Sequence, residues 1–179
     1  MKSIWTPTLA WLAAVSAALV FAIAGPNESN VMGRLPELTV KRLDQQRIVL
    51  PRGLTADRTL ALVAYSKAQR EEIQSWIHGL RLDKDSDIAW IKMPVFNDPE
   101  DEDVRDAVER KLLAHPHRER IVPVFTDRQA FTRAAGLSGP ERASVLVLNR
   151  DGKILARAEG RFDENKAQAL RETLLARGD

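Results

Sequence analysis

No cysteine occurs anywhere in this chain of 179 residues. Disulfide staples, thiolate catalysis and cysteine-ligated zinc or iron–sulfur centres are therefore excluded. An excess of one charge is missing as well. The 27 Lys+Arg nearly balance 25 Asp+Glu, for a formal net charge of +2. No basic stripe interleaved with aromatics occurs, so the chain does not read as a nucleic-acid binder. Internal repeats and low-complexity stretches are absent too. What is present is a globular composition, 44% hydrophobic and 29% charged. It is enough for one domain of about 150 residues with a sizeable core.

The first residues do not belong to that core. Lys2 precedes a nearly unbroken apolar run over 9–24, extended by Ile4 and Trp5. Ala22-Ile23-Ala24 fits the small-x-small pattern of a signal-peptidase site, with Gly25 as the new N-terminus. The uncleaved alternative is a signal anchor, because about 20 residues cross a bilayer core of roughly 30 Å. Lys2 on the near side favours N-terminus in and domain out. A plain buried helix fits poorly, since no polar face interrupts the run. Both export readings place the domain outside the cytoplasm, periplasmic or membrane-anchored. Residues 1–24 are thus a signal peptide or signal anchor, 25–35 a polar linker, and 36–179 the domain.

Within the domain, 38–43 and 47–50 read as a hairpin around Asp44-Gln45-Gln46. A strand over 59–65 is apolar on both faces, as a central strand should be. It runs straight into a helix from Ser66, with Ile73, Trp76, Ile77 and Leu80 at helical spacing. A second strand over 88–93 is expected to stop at Pro94. A helix should then start with Asp98 as N-cap and Pro99 at its first position, burying Val104, Val108, Leu112 and Leu113. A short strand over 121–125 contains Pro123, the mark of an edge or a terminus. A short helix over 128–135, a hairpin turning at Asp151-Gly152, and a helix capped by Asp163 complete the chain. Parallel strands joined by helices, then an antiparallel hairpin, predict a mixed sheet with helices on both faces.

Several clusters have ordinary structural explanations. His115-Pro116-His117 is a solvated loop after a helix, where positive charge is favoured. The acidic run from Asp98 to Asp103 lacks the glycine and spacing of a calcium loop, and helix capping explains it. Ser138-Gly139-Pro140 has no nucleophile-elbow context. Trp90 is expected in the core, and Trp76 in the core or a groove. The helix start combines free backbone N–H groups with Ser66, Lys67, Gln69 and Arg70, a setting for an anion or an acidic peptide segment. The plain reading of the same place is an N-cap serine on an exposed helix start.

Gly33-Arg34-Leu35-Pro36-Glu37-Leu38-Thr39 resembles the opening of peroxiredoxins. The run from Arg142 through Asn149-Arg150-Asp151-Gly152-Lys153-Ile154 resembles their C-terminal hairpin. With the element order, these motifs identify the chain as similar to the thioredoxin-like superfamily in its peroxiredoxin-like form. The resemblance implies a mixed sheet flanked by helices, with the reactive thiol at the strand-to-helix junction. That thiol has no counterpart between Ser66 and Arg70. The thioredoxin cis-proline has none either, since Arg142-Ala143-Ser144 stands in its place. Arg142 matches the peroxiredoxin arginine only in position. A cysteine-less analogue of this architecture is the mitochondrial F-type ATPase assembly factor, with Trp76 and the strand from Trp90 to Val95 as the suggestive residues.

The expectation is therefore an exported, redox-inactive thioredoxin-like domain that binds a protein partner, membrane-associated or free, as an assembly or chaperone module. Its binding groove would comprise Ser66, Lys67, Gln69, Arg70 and Arg142, with the loop over 137–142. No catalytic residue, cofactor or metal is expected. The rival readings are a component of a thiol-redox or peroxide-response system, and metal delivery through His115 and His117.

Overall fold

The computed structural model describes residues 32–84 and 87–176. The expected export segment and the first part of the linker lie outside the described residues. Among the described residues, no helix is long and apolar enough to cross a membrane.

A separate two-stranded hairpin pairs β1 (Leu38–Lys41) antiparallel to β2 (Arg47–Leu50). The main sheet is built on β3 (Arg58–Ala64), whose run Leu60-Ala61-Leu62-Val63 is buried on both faces. β4 (Trp90–Phe96) pairs parallel to it, and β6 (Ser144–Asn149) antiparallel. β5 (Val124–Phe125) and β7 (Ile154–Glu159) form the edges, so the order is β5-β4-β3-β6-β7. Pro123 immediately precedes the β5 edge strand, where a missing N–H is tolerated.

Strand alternation divides the core in two. Ala61, Val63, Met93, Val95, Leu146 and Leu148 join Leu50 of the hairpin and Phe131 of helix α3 (Arg128–Ala134) on one face. Leu60, Leu62, Trp90, Val145 and Val147 meet α1 (Arg70–Gly79) and α4 (Glu164–Leu175) on the other. Burial of such leucines stabilises by about 1.5–3 kcal/mol each. Trp76 resolves to the core: it is fully buried, and its indole N–H donates to the Gly160 carbonyl at 2.8 Å. Trp90 is buried as expected.

Pro94 does not stop β4. It pairs with Ala64 at the last register of β3, and the ladder to β5 begins only at Val95, so its missing N–H falls where the strand changes partner. Helix α2 (Glu102–Leu113) starts later than its sequence suggests. Asp101 is the cap, its carboxylate accepting from Asp103 N–H, while Asp98 pairs with Arg105 instead. Its expected apolar face is only half used. Val104 is 50% and Leu113 41% exposed, and the helix buries Glu109 against Lys41 of β1. Residues 32–35, the end of the expected linker, are joined to the domain: Leu35 is buried and its N–H donates to Gly152 O at 2.8 Å.

Candidate functional site

The chain leaves β3 at Ala64 and enters α1 through a single 3-10 turn, Lys67–Gln69. Ser66 occupies the cap position of that turn, but its side chain makes no capping hydrogen bond. The plain capping role predicted for its hydroxyl is therefore not realised. Buried Gln69 does the anchoring. Its Oε1 accepts from the Tyr65 N–H and its Nε2 donates to the Pro140 carbonyl, both at 2.7 Å. Glu72, one turn on, accepts from the Ala143 N–H at 2.8 Å. The loop before β6 is thus stitched onto the start of α1.

Beside this junction lies a cavity of about 690 Å³ over β4, between α1 and α2. Its walls are apolar: Leu62 and Ala64 from β3, Ile73 from α1, Pro94 and Phe96 from β4, and the half-buried Val108 and Leu112 from α2. Apart from Tyr65 and Ser66 its polar lining is basic. Lys67 and Arg70 stand at the α1 side, Lys111 at the α2 side, and His115 and Lys92 deeper in. Lys92 is on β4 opposite Leu62, so it shares the α1-facing side of the sheet with Trp90. Burial, and secondarily the nearby Arg70 guanidinium, push its ammonium down to about 8. Burial likewise lowers His115, with Lys92 and Arg70 adding to the effect.

Three of the predicted groove residues, Ser66, Lys67 and Arg70, come together at this cavity. The other two do not join them. Gln69 points inward to its two backbone partners. Arg142 lines a different depression, with Ser138, Arg157, Glu159 and Lys166. Sequence reasoning missed Lys92, although strand alternation with Trp90 carried the signal. It also missed Val108 and Leu112 as cavity walls, having placed them in the core.

His115 lines the cavity, while His117 adopts a left-handed backbone and meets the Trp90 ring edge-on. His78 lies beside Asp83 instead. Among the described residues no group of three or more ligating side chains is arranged to hold a metal ion.

No protein-family model and no curated protein matches the chain. Among solved structures it is similar to BsSco, a member of the Sco family of cytochrome c oxidase assembly proteins. The identity is 13%, covering 82% of this chain and 96% of that one, with a TM-score of 0.53. It is also similar to the exposed lipoprotein thioredoxin Etrx1 of Streptococcus pneumoniae TIGR4, at 9% identity over 76% and 99% of the two chains and a TM-score of 0.52. A protein from Aquifex aeolicus VF5 gives 16% identity over 83% and 99%, with a TM-score of 0.56. At such identities the likeness speaks to fold alone. The β3–α1–β4 unit, the antiparallel β6–β7 hairpin and the closing helix α4 are the thioredoxin-like fold, carried here without a single cysteine.

Proposed function

We propose that this domain is a redox-inactive binding or assembly module that engages a protein partner at the β3–α1 junction. The observation that carries the reading is what stands at that junction. Ser66, Lys67 and Arg70 replace a thiol site and open onto a basic, apolar-walled cavity. Without a thiolate there is no nucleophile for disulfide exchange or peroxide reduction, so the scaffold's remaining asset is recognition. The hydrophobic run over 9–24 supports work outside the cytoplasm, secreted or tethered, beside membrane proteins or free of them.

The cysteine-free background makes the test clean, because Ser66→Cys introduces the only thiol. A benzophenone maleimide attached there, with Arg47→Cys on the β1–β2 hairpin as the control position, reports what touches the junction in the cells that make the protein. Discrete adducts at position 66, absent at 47 and lost with Lys67→Glu/Arg70→Glu, are expected. Equal labelling at both positions would sink the reading. So would turnover of insulin disulfides or peroxide by the pure wild-type chain.

A further inference from the structure

We propose that the cavity between α1 and α2 binds an anionic amphiphile, a carboxylate on an aliphatic or aromatic body, with Lys92 as its counter-charge. The volume, about 690 Å³, lies in the range of small-molecule sites. The lining has two chemistries and little else. Leu62, Ile73, Pro94, Phe96, Val108 and Leu112 form apolar walls, and every charged group on the lining is basic.

Charge complementarity selects the headgroup. Some basic side chains outside the cavity meet carboxylates, as Arg161 does Glu71 at 2.6 Å and Arg52 does Glu37 at 2.8 Å. Among the described residues no carboxylate lies within ion-pair distance of Lys67, Arg70, Lys92 or Lys111. A partly buried ammonium on an apolar floor is costly unless an anion meets it. Burial and Arg70 already depress the Lys92 ammonium to about 8, the direction a bound anion would reverse.

The walls select the body. β4 is paired with β3 on one side and with Ile121 and β5 on the other. At this cavity β4 therefore offers no free edge to which an extended peptide would add. A bare inorganic anion would leave the apolar walls unused, and a metal cation would be repelled. Helix α2 reaches over the space without filling it, since Val108 and Leu112 remain half-buried.

This site goes beyond protein recognition at the junction. It shares Lys67 and Arg70 with that reading but not Lys92, so the two fail separately: Lys92→Met should leave Ser66 adducts intact. The test is calorimetric titration of the full chain at pH 7 with decanoate, decanol and acetate. Decanoate should bind one to one, at least tenfold tighter than decanol, and acetate should not bind. Lys92→Met should weaken decanoate at least tenfold, and Lys92→Arg should restore most of it. Val108→Trp, at a half-exposed helix position, should block the cavity while leaving the urea-unfolding midpoint of the chain within error of wild type. The Lys92 side-chain NMR titration should move to higher pH when decanoate is added. Equal affinity for decanol, an unaltered Lys92→Met, or no effect of Val108→Trp overturns the proposal.

Discussion

Gln69 Nε2 donates to the carbonyl of Pro140, 71 positions further along the chain, at 2.7 Å. The same amide accepts from the Tyr65 N–H, so one buried side chain closes the end of β3, the start of α1 and the loop before β6. Replacing it by an apolar residue of similar size leaves a backbone donor and a backbone acceptor unsatisfied, at about 1–3 kcal/mol per group. Gln69→Leu should therefore lower the stability measured by urea unfolding by at least about 2 kcal/mol. An unchanged midpoint would mean that water replaces both bonds.

Gly79 closes α1 directly beneath Phe162. A Cβ at this position would lie 2.4 Å from the Phe162 ring, which packs edge-on to Trp76 with centroids 5.2 Å apart. Alanine is favoured over glycine in a helix by about 1 kcal/mol, but forcing a packed ring aside costs about 1–3 kcal/mol. Gly79→Ala is expected to destabilise, and combining it with Phe162→Leu should recover part of the loss. A more stable Gly79→Ala, read by thermal unfolding, would show that the ring yields freely.

Lys92 should make stability depend on alkaline pH. In the fold its ammonium titrates near 8, against 10.5 ordinarily. Between these values the unfolded chain binds more protons, so this residue makes stability rise with pH across that window. The groups facing it are Lys67 and Arg70 on the α1 side, Lys111 from α2, and His115, whose own lowered value leaves it neutral there. The comparison is with Lys92→Met, which removes this group and leaves the other titrating side chains in place. At pH 7 this variant should melt on the order of 2–4 °C higher, and the difference should shrink as pH passes 8 toward 10.5. A constant difference would place the ammonium in water.

Lys41 Nζ stands 3.6 Å from the buried carboxylate of Glu109 and holds the β1–β2 hairpin to α2. Because Lys41 is itself 40% exposed, screening limits the pair to about 1 kcal/mol. Lys41→Met should lower stability by roughly that amount, and Glu109→Gln on top should return most of it. A double-mutant cycle showing no coupling would reduce this contact to packing alone.

Periodicity made the main sheet and its helices legible, because β3 is apolar on both faces and α1 carries Ile73, Trp76 and Ile77 at helical spacing. The errors fell where local rules met a tertiary partner. Pro94 reads as a strand breaker until one sees that no partner there needs its N–H. Asp98 reads as a cap until Arg105 claims it. Val104 and Leu113 read as core because helical spacing is blind to whether a helix is pressed against the sheet or stands at its edge. Of the site, Ser66, Lys67 and Arg70 are readable as a basic helix start, whereas Gln69 reads as one more groove residue there and is instead buried. Its burial depends on a carbonyl distant in sequence.

From sequence alone came the exclusion of thiol chemistry, the mixed sheet and the thioredoxin-like resemblance. These follow from composition and from periods of two and 3.6 residues, which are local properties of a chain. Only the tertiary structure decided that Arg142 lies apart from Ser66, Lys67 and Arg70, and that Lys92 stands among cations over an apolar floor. Burial and charge neighbourhood are set by which segments pack together, and no local pattern encodes that.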